Sequence, residues 1–161
     1  MNDYTWSLDV LYSGYQDKKF IDDFNDLTIK VEDCKKVQSN LKEMNQDEAI
    51  IEIVKKTESL FFLYSKLSLY TFLRQSVNTS DSETSAYLAQ VSQRYSEASK
   101  TLAQFDRYIA QVDDLNAIID NNEQLHEYRY YLNNIKNNGK HLLSDDVEEM
   151  IAKLDLSAGN A

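Results

Sequence analysis

Residues 81–112 read DSETSAYLAQVSQRYSEASKTLAQFDRYIAQV. Leu88, Val91, Tyr95, Ala98, Leu102, Phe105, Ile109 and Val112 recur there in alternating steps of three and four. The pattern lasts more than three heptads. It predicts one long helix with an apolar seam, the kind that packs in a bundle or an antiparallel pair. Ser80-Asp81-Ser82-Glu83 in front of it reads as a capping box, a sharp helix start.

Similar signals lie on the N-terminal side. Residues 1–16 read as an irregular arm with aromatic anchors Tyr4, Trp6, Tyr12 and Tyr15. Asp17 caps a helix over 17–44, with Phe20, Phe24, Leu27, Val31 and Cys34 on one face. Asn45 and Asp47 cap the next, over 47–77. Its second half is apolar nearly all round: Leu60 to Leu63, Leu67, Leu69, Tyr70, Phe72 and Leu73. Such a helix is either central to its own domain or covered by another.

On the C-terminal side, Leu115 to Ile119 makes a short helical step, and a helix over 121–138 carries Leu125, Tyr128, Leu132 and Ile135. Asn137-Asn138-Gly139 is its stop, with Gly139 suited to the left-handed conformation. A last helix spans 145–155. Ser144 is its N-cap, acids follow in its first turn, and Val147, Met150, Ile151 and Leu154 form one stripe. The fold class is all-α: a bundle of about four to five long antiparallel helices with no sheet, forming one domain over 1–161.

Composition supports long helices and excludes several functions. The 161 residues contain no proline and three glycines, so helix breakers are scarce. A net charge of −10 argues against nucleic acid, whose phosphates need a basic surface. The N-terminus lacks the charged and apolar regions of a signal peptide, and Leu60–Tyr64 is too short an apolar run to span a bilayer. A cytoplasmic location is the default expectation. Cys34 is the only cysteine and reads as a small apolar residue.

His141-Leu142-Leu143-Ser144, followed by acids and then Glu148-Glu149-Met150-Ile151, resembles a segment of the oligoendopeptidase F family of zinc metallopeptidases. Trp6-Ser7-Leu8-Asp9-Val10-Leu11-Tyr12 is similar to the opening signature of that family. The residues that carry the resemblance are Trp6, Leu8, His141, Leu143, Ser144 and Glu148. It implies an N-terminal helical domain whose catalytic domain lies outside these residues. In the family this domain walls a cavity that admits oligopeptides. The expected partners are therefore the catalytic domain and, in the whole protein, oligopeptide substrate.

The catalytic signature of the family is His-Glu-x-x-His on a helix, which grips zinc with two imidazoles and activates water with the glutamate. Only two histidines are present, His126 and His141. His126-Glu127-Tyr128-Arg129-Tyr130 begins like the motif but ends on tyrosine. The chain itself is thus expected to be inactive and to hold no cofactor, with zinc expected in the absent catalytic domain. Glu123-Gln124-Leu125-His126 is a single Glu-x-x-His pair, where di-iron bundles use two. His141 reads as a side chain tying a loop to its neighbours. Tyr128, Tyr130 and Tyr131 fit either a peptide groove or ordinary packing. A self-standing helical interaction module is the alternative function, and a small metal-binding bundle a third. The apolar run from Leu60 to Leu73 further implies self-association of the chain if that run is exposed.

Overall fold

The computed structural model describes residues 7–139, and every regular element among them is helical. These elements are α1 (Lys18–Asn40), α2 (Gln46–Val77), α3 (Ser82–Ser96), α4 (Ser99–Gln111), α5 (Leu115–Asn121), a 3-10 turn (Glu123–Leu125) and α6 (Arg129–Asn138). The chain divides into two compact units, Met1–Phe105 and Asp106–Ala161, where one domain was expected, and the division falls within α4.

In the first unit, α1, α2 and α3 pack against one another. Cross-helix pairs fix their directions. Lys56 meets Asp33 at 3.4 Å and Lys66 meets Asp23 at 2.6 Å, so positions rising on α2 meet positions falling on α1. Tyr64 stacks on Tyr95 at 3.9 Å, and the Ser85 hydroxyl donates to Gln75 at 3.0 Å, so α2 and α3 are antiparallel too. Phe20, Leu27, Val31 and Cys34 of α1 are buried with Leu60, Leu63, Leu67 and Tyr70 of α2. Burial pushes the Cys34 thiol up to about 11, which leaves it protonated and inert.

The expected caps form, with one shift. Asp17 accepts from the backbone N–H of Lys19, and Asn45 from that of Glu48. At α3 the cap is Asp81 itself, accepting from the N–H groups of Glu83 and Thr84 and from the Thr84 hydroxyl. These bonds hold the Asp81 carboxyl below its ordinary 3.8, chiefly through Thr84. A depressed carboxylate contributes stability that is full above its unfolded value and fades as pH falls through the folded one. Asp81→Ala is therefore expected to lower Tm by several degrees at neutral pH. That difference should shrink below pH 3.8 in a thermal melt series.

The seam helix expected over 81–112 is two helices, broken at Glu97–Ala98. At the break the Ala98 N–H donates by a short three-residue step to the Tyr95 carbonyl, while the Glu97 N–H keeps the ordinary four-residue step to Gln93, whose carbonyl also takes the Ser96 hydroxyl. A serine competing for helix carbonyls in this way tightens the last turn. The first helix ends at Asn40 rather than near Met44. The helix expected over 121–138 starts only at Arg129. Asn122 is extended, at φ −125° and ψ 99°, and a 3-10 turn intervenes. Gly139 follows with φ −57°, a right-handed rather than a left-handed end. The expected helix over 145–155 lies outside the described residues.

In the second unit, Asn133 meets Asn116, and the Lys136 ammonium meets the Val112 and Asp113 carbonyls. These pairs set α6 antiparallel to α5. Leu115, Ile118, Ile119, Leu125, Leu132 and Ile135 are buried. Burial also raises the Asp106 carboxyl above its ordinary 3.8. A raised carboxyl costs stability as pH climbs from its unfolded value to its folded one, because the unfolded chain gives up the proton first and the fold penalises the charge. Asp106→Asn should therefore raise Tm by a few degrees at pH 7, and the gain should vanish below pH 3.8.

Candidate functional site

The arm expected over residues 1–16 is anchored by two tyrosines. The Leu8 carbonyl accepts from Leu11 and Tyr12 N–H groups, and this turn aims Tyr12 inward. Its hydroxyl donates to Asp23 at 2.7 Å, and the Lys66 ammonium sits 4.6 Å from its ring centre while also pairing with Asp23. The Tyr15 hydroxyl donates to Thr84 at 2.8 Å, with Arg74 over its ring. Phe20, Phe24, Tyr70 and Tyr87 complete an aromatic cluster with mostly edge-to-face geometry. Burial, then the hydrogen bond to Asp23, drive the Tyr12 hydroxyl well above the usual tyrosine range. Tyr12 is therefore a structural anchor and no proton donor at working pH.

A shallow open cleft of about 380 Å³ borders this cluster, lined by Leu8, Asp9, Arg74, Val77, Asn78 and Asp81 among others. Arg74 already donates to the Tyr70 hydroxyl, and Asp81 is held as the α3 cap. Two of the charged groups of the cleft, Arg74 and Asp81, are thus engaged in the fold.

The other distinctive surface is a face of α2. Phe61, Phe62, Leu69 and Phe72 are 57%, 71%, 50% and 58% exposed. The second half of the helix is apolar nearly all round, as its sequence indicates. Packing against α1 and α3 takes only the side that carries Leu60, Leu63, Leu67 and Tyr70.

Glu123 and His126 are exposed and lie at a 3-10 turn, so their spacing is not that of a helical ligand pair. The His126 Nε2 lies 3.4 Å from the Asp120 carbonyl. Among the described residues no three His, Cys, Asp or Glu side chains converge as a metal would require. Tyr130 is 84% exposed on α6, while Tyr128 is half-buried. Of the residues that carry the family resemblance, Leu8 is half-buried at the start of the arm turn. Trp6, His141, Leu143, Ser144 and Glu148 lie outside the described residues.

The second unit carries the decisive comparison. Residues 110–161 match the family model described as Oligopeptidase F. The match makes this stretch, about a third of the chain, similar to the N-terminal part of oligopeptidase F. It supports the resemblance of the chain to an N-terminal domain of an oligopeptidase family protein. No curated protein and no solved structure gives a match. Within the oligopeptidase F match, the described part comprises the end of α4, all of α5, the 3-10 turn and α6. No described helix is long and apolar enough to cross a membrane.

Proposed function

We propose that the chain is the non-catalytic N-terminal helical domain of a zinc-dependent oligopeptide endopeptidase, walling the substrate cavity beside a catalytic domain outside these residues. The match of residues 110–161 to oligopeptidase F carries this reading. The helical architecture agrees with it. The residues of this chain do not fit zinc: its two histidines are fifteen positions apart in sequence, and no ligand cluster forms among the described residues. The metal and the general base belong to the catalytic domain. The domain supplies a wall that admits flexible oligopeptides and turns away folded proteins. A cytoplasmic location belongs to the same reading.

The experiment has two arms. The purified chain should leave a quenched oligopeptide uncleaved, and chelator-sensitive cleavage by it would overturn the assignment. Added to a separately produced catalytic domain from its own reading frame, it should suppress cleavage of a long unfolded protein more than cleavage of a short peptide. Equal effects on both substrates would remove the cavity role. The second reading, a self-standing helical interaction module, is favoured by the exposed α2 face. A reading frame without a downstream His-Glu-x-x-His would select it.

A further inference from the structure

The exposed face of α2 has an order that the burial of the helix does not require. Glu58, Phe62, Ser65, Leu69, Phe72 and Ser76 follow one another in steps of four, three, four, three and four. That is the spacing of a coiled-coil seam, in which the side chains of one helix fit the gaps of a second. The seam runs about 27 Å along one uninterrupted helix, Gln46–Val77. It holds no charge between Glu58 and Ser76. Its occupant is thus a helix with an apolar stripe, running along α2.

The seam also matches itself in reverse. Turned about a point near Leu67, Phe62 falls opposite Phe72, Ser65 opposite Leu69 and Glu58 opposite Ser76. The layer next to the axis pairs small with large, so Leu69 of each copy fills the space that Ser65 of the other leaves. The outer layer pairs aromatic with aromatic. Antiparallel helix pairs join the two kinds of seam position in each layer, which is the pairing obtained here. A two-fold axis requires such a self-complementary patch. We infer that α2 is a homodimerisation helix, pairing antiparallel with α2 of a second copy about a two-fold axis near Leu67.

The area sets the strength. Taking about 200 Å² for a whole large side chain, the seam residues Phe62, Leu69 and Phe72 together leave roughly 350 Å² exposed. Two copies would bury roughly 700 Å² through them, below the roughly 1,200 Å² at which standard stable interfaces begin. The dimer is therefore weak and concentration-dependent. The inference does not rest on the family reading, and its test reads mass and cross-linking rather than peptide cleavage.

Sedimentation equilibrium of the chain from about 10 µM to about 1 mM should show the average mass climbing towards twice that of the monomer. Phe62→Glu should hold the mass at the monomer value with an unchanged circular dichroism spectrum, since Phe62 is 71% exposed. Orientation is read by mixing Ser65→Cys with Leu69→Cys under mild oxidation. Mixed disulfides should exceed either self-disulfide. A monomer throughout the series would overturn the proposal and leave the face to another partner. So would a dimer indifferent to Phe62→Glu, or a predominance of Ser65→Cys self-disulfides, which a parallel pair would give.

Discussion

Tyr12→Ala is expected to destabilise the first unit by about 3–5 kcal/mol, as a large-to-small change at a fully buried ring. Tyr12 is 1% exposed although it lies on an arm without helix. Its ring packs edge-on against Phe20 and Tyr70, at 5.3 and 4.9 Å between centres. Its loss would also strip the Lys66 ammonium of the ring beneath it. Tyr12→Phe separates the contributions. It keeps the ring and leaves Asp23 with Lys66 as its partner, so it should cost only about 1 kcal/mol. Urea unfolding followed by helical circular dichroism measures both. Equal costs for the two variants would show that the hydroxyl, and not the packing, holds the arm.

Leu67→Asp should abolish the folded first unit, while Phe62→Asp should change stability by less than about 1 kcal/mol. The two positions lie on one helix, five residues apart and on different faces. Leu67 is wholly buried between α1 and α3. A carboxylate there would be desolvated with no cation to pair with, a cost of several kcal/mol against a total stability of about 5–15. Phe62 is mostly in solvent, and a carboxylate in its place stays hydrated. Thermal melts at one low protein concentration keep self-association out of the comparison. A Phe62→Asp melt as damaged as that of Leu67→Asp would mean that this face is covered in the folded monomer.

The helical class was legible because it depends on local terms. Three-four spacing, the lack of proline and the caps at Asp17 and Asn45 each act within a few residues, and each appears where the pattern placed it. The break at Glu97–Ala98 was not legible, since Leu102 and Phe105 continue the seam across it. Ser96 competing for the Gln93 carbonyl is a hydrogen-bond choice that periodicity does not record. The late start of α6 is similar: low-propensity Asn121 and Asn122 sit amid an otherwise regular apolar spacing.

The candidate surface divides in the same way. The apolar excess of α2, its length and the absence of a metal-ligand motif are properties of the chain and could be read directly. Which side of α2 stays exposed could not. Leu63 and Phe62 are adjacent and equally apolar, yet one is buried and the other open. That choice is made by where α1 and α3 cross α2, and so by ion pairs and ring contacts between residues dozens of positions apart, such as Lys66 with Asp23 and Tyr64 with Tyr95. The sequence by itself determined that this chain is helical and carries more apolar surface on α2 than one side can bury. Only the tertiary structure decided which side that surplus occupies, because packing is a property of pairs distant in sequence, while periodicity is a property of neighbours.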